Sequence, residues 1–120
     1  MKVIIKGTNL ELTEALKQYV NEKIGHLEHY SEEILEARVE LETSTHHQKG
    51  FFRCEVNLDL PHMQVLRAES TGADLYAAID LVVPKLRTEL ERHEGRAHGQ
   101  DRSMKRDLKS IFAWRPWRKG

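Results

Sequence analysis

Apolar and polar positions along the chain follow two rhythms, and the points where one gives way to the other mark the elements. Residues 2–7, KVIIKG, alternate, with Val3 and Ile5 on one face and Lys2, Ile4 and Lys6 on the other, as in a strand. From Thr13 the spacing lengthens: Leu16, Tyr19, Val20, Ile24, Leu27 and Tyr30 recur at helical intervals. Thr13 suits an N-cap and Glu14 the first turn. A helix is expected from residue 13 to residue 30, although Gly25 inside it costs about 1 kcal/mol against alanine. Alternation returns in LEARVELET (35–43), where Ala37, Val39 and Leu41 oppose Arg38, Glu40 and Glu42. THHQKG (45–50) reads as a turn and FFRCEVNLDL (51–60) as the next strand, with Phe52, Cys54, Val56, Leu58 and Leu60 inward. Pro61–His62 reads as a short turn and MQVLRAES (63–70) as a fourth strand with Leu66 and Ala68 inward. Asp74 caps a second helix.

The order β-α-β-β-β-α predicts an α+β fold similar to a double-stranded-RNA-binding domain. The first helix crosses between strands one and two, which makes those strands parallel if adjacent. The next three strands form an antiparallel meander. Each helix has one apolar face and the sheet offers one apolar face, so both helices are expected on one side of a four-stranded sheet. The other face interleaves Arg38, Arg53 and Arg67 with Glu40, Glu55 and Glu69. Opposite charges paired across strands there, at about 0.2–1 kcal/mol per pair, make a solvated face. It lacks the mid-strand aromatics that a base-stacking sheet needs.

On a helical wheel, Leu75, Ile79, Val82, Leu86, Leu90 and His93 of the second helix fall within roughly 80°. Pro84 lies nearly opposite, where water can satisfy the Asp80 carbonyl it frees; a kink is expected rather than a break, against a cost of roughly 3 kcal/mol. Gly95 is a natural helix stop. Lys85 and Arg92 share one flank, and Arg96 would extend it. Glu89 sits between them in the same stripe, so an ion ladder accounts for this line as well as a row of phosphate contacts does.

Charge sharpens the picture. The net charge of the chain is zero. Residues 9–36 hold two lysines and seven acids, 2 − 7 = −5, whereas residues 95–120 hold eight Lys/Arg and two Asp, 8 − 2 = +6. A basic end of this kind suits a polyanion. No apolar run can span a membrane or serve as a secretory signal. The single cysteine, Cys54, excludes an internal disulfide and fits a reducing cytoplasm.

Three features together resemble a known family. They are the opening MKVIIKGTNLELTEALKQYVNEKIGHLEHY, the later ADLYAAIDLVVPKL and the six-element order between them. The chain resembles the ribosome hibernation-promoting factors, a family that includes the short hibernation factor and the ribosome-associated inhibitor protein Y. The likeness covers residues 1–94, and LYAAID with Lys85–Leu86 after it is its most specific part. It implies a non-enzymatic factor that binds the small ribosomal subunit over the messenger and transfer RNA sites and silences idle ribosomes in stationary phase or stress. It also implies Lys23, Lys85 and Arg92 as contacts to ribosomal RNA. The chain departs from the family pattern at Pro84 and at Thr88, Glu91 and Glu94, where basic residues are common. Part of the phosphate contact is therefore expected to pass to the tail. Some 26 residues after the second helix are too few for the second domain of the longer family members.

The expected organisation is a ribosome-binding domain over residues 1–95 and a flexible basic, aromatic tail over 96–120. The candidate RNA contacts are Lys23, Lys85, Arg87, Arg92 and Arg96, with Arg102, Lys105, Arg106, Trp114 and Arg115 in the tail. Basic residues supply phosphate affinity, and tryptophans among them can stack on unpaired bases for about 1–3 kcal/mol each. The tail could equally dock on the domain or on another copy, and a lipid surface is a third use of Trp with Arg. His26 and His29 on the first helix and the adjacent His46 and His47 form no metal motif. No nucleophile elbow or phosphate loop is present, and Asp74 and Asp80 read as a cap and a helix-side hydrogen-bonding group. The expectation is a monomer without metal, cofactor, membrane or small-molecule substrate. Two other readings stay open: a generic double-stranded-RNA binder, which would want lysines where ADLYAAID has none, and a protein-interaction module acting through its tail.

Overall fold

The structure is a computed structural model. It describes the backbone of residues 1–44 and 51–114 and the side chains of 1–43 and 51–95. The expected turn at 45–50, with His46 and His47, and Arg115 at the end of the chain lie outside the described residues. The elements are β1 (Lys2–Thr8), α1 (Glu14–Gly25), a 3-10 turn (His26–His29), β2 (Glu36–Ser44), β3 (Phe51–Leu60), β4 (Gln64–Gly72) and α2 (Leu75–Trp114). The β-α-β-β-β-α order is as the alternation implied.

The sheet order is β1-β2-β3-β4, with β1 parallel to β2 and the other pairs antiparallel. One face of the sheet and both helices share a single core. Leu16, Val20 and Ile24 of α1 and Ala78, Ile79, Val82, Leu86 and Leu90 of α2 are buried in one cluster with Val39, Leu41, Val56 and Leu58 of the sheet. Each such side chain contributes about 1.5–3 kcal/mol on leaving water, so α2 is held by its apolar stripe despite Pro84.

Both helix starts are capped by side chains. The Leu16 amide donates to Thr13 Oγ1 at 3.1 Å, and the Ala77 amide donates to Asp74 Oδ1 at 2.8 Å. The first helix is shorter than its apolar rhythm suggested. At Gly25 the chain tightens into the 3-10 turn, in which Leu27 is buried in the same core as Ile24. That change of phase leaves Tyr30, expected among the core residues, exposed.

The second helix is longer than expected. It does not stop at Gly95 but continues to Trp114, unbroken at Pro84, whose carbonyl accepts from Thr88 Oγ1 at 3.0 Å. A glycine ends a helix only when its left-handed conformation is used. Gly95 is not left-handed here, and the next proline is Pro116. The chain divides inside α2 into two compact units, Met1–Leu90 and Glu91–Gly120.

Candidate nucleic-acid interface

The outer face of the sheet is settled by register. Glu40, Glu55 and Glu69 stand directly opposite one another across β2, β3 and β4. In this row like charges face each other, an unfavourable arrangement by itself, while the expected opposite-charge pairing runs beside it, with Glu42 directly opposite Arg53 and Lys6 directly opposite Glu40. The arginines of the same face reverse the sign. Arg53, 17% exposed, bonds Glu42 at 2.7 Å, Glu55 at 3.1 Å, Glu69 at 3.2 Å and Glu40 at 3.4 Å. Arg67 bonds Glu55 and Glu69, and Arg38 bonds Asp59. Burial works against the charge on Arg53, but Glu42 and Glu55 outweigh it and raise its pKa. Burial likewise pushes the Glu55 carboxyl up, while Arg53 and Arg67 pull it further down, below its ordinary value. The arginines of this face are engaged with carboxylates.

On the helical side the candidate cations fall on two lines. The first is the seam between α1 and α2. Tyr19 packs edge-on against Tyr76 at 4.9 Å and donates its hydroxyl to Asp80 Oδ1 at 2.6 Å. Lys23 Nζ lies 5.4 Å from the Tyr19 ring centroid, and the Arg87 guanidinium lies 5.7 Å from that of Tyr30. Tyr19 meets Tyr76 and Asp80 while Tyr30 meets Arg87, so the two helices run in the same direction. The bond to Asp80, with desolvation and the charges of Asp80, Glu22 and Asp74, pushes the Tyr19 hydroxyl up to about 12.

The second line is the opposite flank of α2. Lys85 is two residues from Arg87, about 200° away on the helix, and its Nζ donates to the Glu69 carbonyl of β4 at 2.9 Å. The fold thus separates Lys23 and Arg87 from Lys85. Arg92 is exposed in the second unit, and Arg96, Arg102, Lys105, Arg106 and Trp114 lie on α2. The feature that sequence reasoning underrated is the Tyr19–Asp80 seam. Its signal was Tyr76 and Asp80 at i and i+4 on the side of α2 away from Lys85.

Charge divides with the structure. Residues 1–90 hold ten Lys/Arg and fifteen Asp/Glu, 10 − 15 = −5, and residues 91–120 hold nine and four, 9 − 4 = +5. Among the described residues no group of three or more His, Cys, Asp or Glu side chains gathers to hold a metal, and no helix is long and apolar enough to cross a membrane.

The family described as sigma 54 modulation protein / S30EA ribosomal protein matches residues 3–98. The chain belongs to that family. Relatives include the ribosome hibernation promotion factor of Lactococcus lactis subsp. cremoris (strain MG1363), 34% identical over 104 residues, covering 86% of this chain and 55% of the relative. The ribosome hibernation promotion factor of Staphylococcus aureus (strain COL) is 35% identical over 98 residues, covering 82% and 50%. The chain therefore spans about half the length of these relatives. Among solved structures, the N-terminal domain of Thermus thermophilus Protein Y aligns with a TM-score of 0.67 at 36% identity, covering 78% of this chain and 99% of that one. A ribosomal subunit interface protein from Coxiella burnetii aligns with a TM-score of 0.70 at 20% identity, covering 79% and 99%, a likeness of fold. The S30EA family membership agrees with the resemblance drawn from the opening segment and the LYAAID block.

Proposed function

We propose that this protein is a non-catalytic, cytoplasmic ribosome-binding factor that occupies the messenger and transfer RNA channel of the small subunit and silences translation in stationary phase or stress. The observation that carries this reading is the family match over residues 3–98, together with relatives that bear the name ribosome hibernation promotion factor. The charge distribution supports it and refines the expected contacts. With the sheet arginines engaged by carboxylates and residues 1–90 summing to −5, phosphate affinity rests on the +5 of residues 91–120. Lys23 and Arg87 add a smaller share from the helix seam. Lys85 serves first as a clamp on the Glu69 carbonyl. The folded domain acts as a monomeric wedge, and the basic end over residues 96–120 fastens it to ribosomal RNA.

The test is sedimentation of the protein with purified ribosomal subunits across a salt series. The expected result is co-migration with the small subunit, lost at high salt and blocked by bound initiator transfer RNA. Equal binding to any duplex RNA would favour a generic double-stranded-RNA binder. No RNA binding in dilute buffer would favour a protein-interaction module.

A further inference from the structure

On the outer face of the sheet the register sets two rows of different sign side by side. Glu40, Glu55 and Glu69 stand opposite one another across β2, β3 and β4, and two residues along the strands Arg38, Asn57 and Arg67 do the same. Both rows end at β4, an edge strand. There the Arg67 side chain is 61% exposed and that of Glu69 49%. Each keeps bonding capacity. Among the described residues, Arg53 and Arg67 both meet Glu69 at Oε1, which leaves Oε2 to a partner. Arg67 uses Nε on Glu55 and Nη2 on Glu69, which leaves Nη1.

The backbone of this edge is equally incomplete. Lys85 Nζ donates to the Glu69 carbonyl at 2.9 Å, so that carbonyl is directed out of the sheet. Peptide groups of residues two apart in a strand point the same way, and Val65, Arg67 and Thr71 therefore present theirs at the edge too. Leu81 precedes Lys85 by one helical turn, shares its flank of α2 and is 50% exposed. The other edge differs. β1 carries Lys2 and Lys6 and no acid, so two copies meeting there would bring like charges together.

A second copy of the chain fits what β4 presents. In an antiparallel pair of β4 strands turned about Ala68, Arg67 stands opposite Glu69 of the other copy, and Val65 opposite its Thr71. The outward peptide groups then fall into hydrogen-bonded pairs. The row Arg38–Asn57–Arg67 runs on into Glu69–Glu55–Glu40 of the second copy, so the like-charged row gains a cation directly opposite its end. In that pair the Arg67 amide donates to the Glu69 carbonyl of the other copy, and this is the carbonyl that Lys85 holds.

We propose that the β4 edge is a two-fold self-association surface for a second copy of this chain, which Lys85 holds shut by occupying the Glu69 carbonyl. The surface belongs to the unit Met1–Leu90 and uses no RNA contact, so it stands apart from the ribosome reading.

The test is sedimentation velocity of the full chain over a concentration series, with Lys85→Met beside the parent. Methionine keeps the apolar stem and removes the ammonium. The parent is expected to stay monomeric where Lys85→Met forms a dimer, with a dissociation constant at least about tenfold lower for the variant. Adding Arg67→Glu to Lys85→Met should abolish the dimer, because it sets glutamates opposite one another. Adding Glu69→Arg as well should restore it by exchanging the two signs. Hydrogen exchange reads the same contact without charge reversal. In the Lys85→Met dimer the amides of Val65, Arg67, Glu69 and Thr71 should exchange at least about tenfold more slowly than in the monomer, and those of β1 should not. A Lys85→Met variant that stays monomeric at millimolar concentration, a parent that dimerises as tightly, a dimer indifferent to Arg67→Glu, or slowing at β1 in place of β4 would each overturn the proposal.

Discussion

Replacing Gly72 by alanine would set a Cβ 2.7 Å from the Ala78 nitrogen, 2.9 Å from Ala77 Cβ and 3.0 Å from the Ala77 carbonyl carbon. Two of these are backbone atoms, so the first turn of α2 has to move away from the end of β4. Overpacking of this kind costs about 1–3 kcal/mol. The same turn carries the Asp74 cap, with its 2.8 Å bond from the Ala77 amide and 3.0 Å bond from the Ala78 amide to the Asp74 carbonyl; disturbing it adds up to about 1 kcal/mol. Gly72 is not in the left-handed region, so alanine also stabilises by restricting the unfolded chain, by about 0.4–1 kcal/mol. The balance is a net loss of about 1–3 kcal/mol. Gly25 is the internal control. It has αR dihedrals, and a Cβ there meets nothing within 4 Å, so Gly25→Ala should stabilise by about 0.4–1 kcal/mol. Urea denaturation with a common m-value reads both. On the thermal scale 1 kcal/mol corresponds to about 4–8 °C for a small domain. A Gly72→Ala variant as stable as the parent, or two variants that shift in the same direction, would refute the packing argument.

Ultraviolet titration should find a tyrosine ionising near pH 12, and Asp80→Asn should move it down toward 10. Because the folded state prefers the protonated phenol, the stability it contributes is complete below pH 10 and is lost as pH rises through about 12. A titration unchanged by the substitution would contradict the seam. Burial, with Glu55 adding and Arg53 opposing, pushes the Cys54 thiol up to about 12. A thiol reagent at pH 8 should accordingly modify the native protein far more slowly than the urea-unfolded one, and equal rates would show that β3 is open. Deleting residues 97–120 should flatten the salt dependence of ribosome binding while leaving the urea midpoint nearly unchanged. A large fall in midpoint would place those residues in the core.

Much of this was legible before any coordinates. Strand alternation identified the inward faces of β2 and β3 residue by residue, because a side-chain period of two leaves each strand only two choices of face. Thr13 and Asp74 announced their helices because few side chains can bond an orphaned amide. The register of the outer face was not legible. A slip by two residues keeps every side chain on its face and changes only its neighbour, so alternation alone could not show Glu40, Glu55 and Glu69 in one row. Nor could local propensity tell that Gly95 would continue a helix that Gly25 helps to tighten.

The candidate site divides in the same way. The chain itself determined the acidic sum of its first ninety residues, the basic sum of the rest and the apolar stripe of α2, since each is a property of covalent order. The tertiary structure decided what each cation lies against. Packing places Lys85 against the β4 edge and turns Arg87 toward Tyr30, and it draws Arg53 into four carboxylates. The physical reason is distance: a charge acts through what lies within a few ångströms of it, and only folding brings residues tens of positions apart that close.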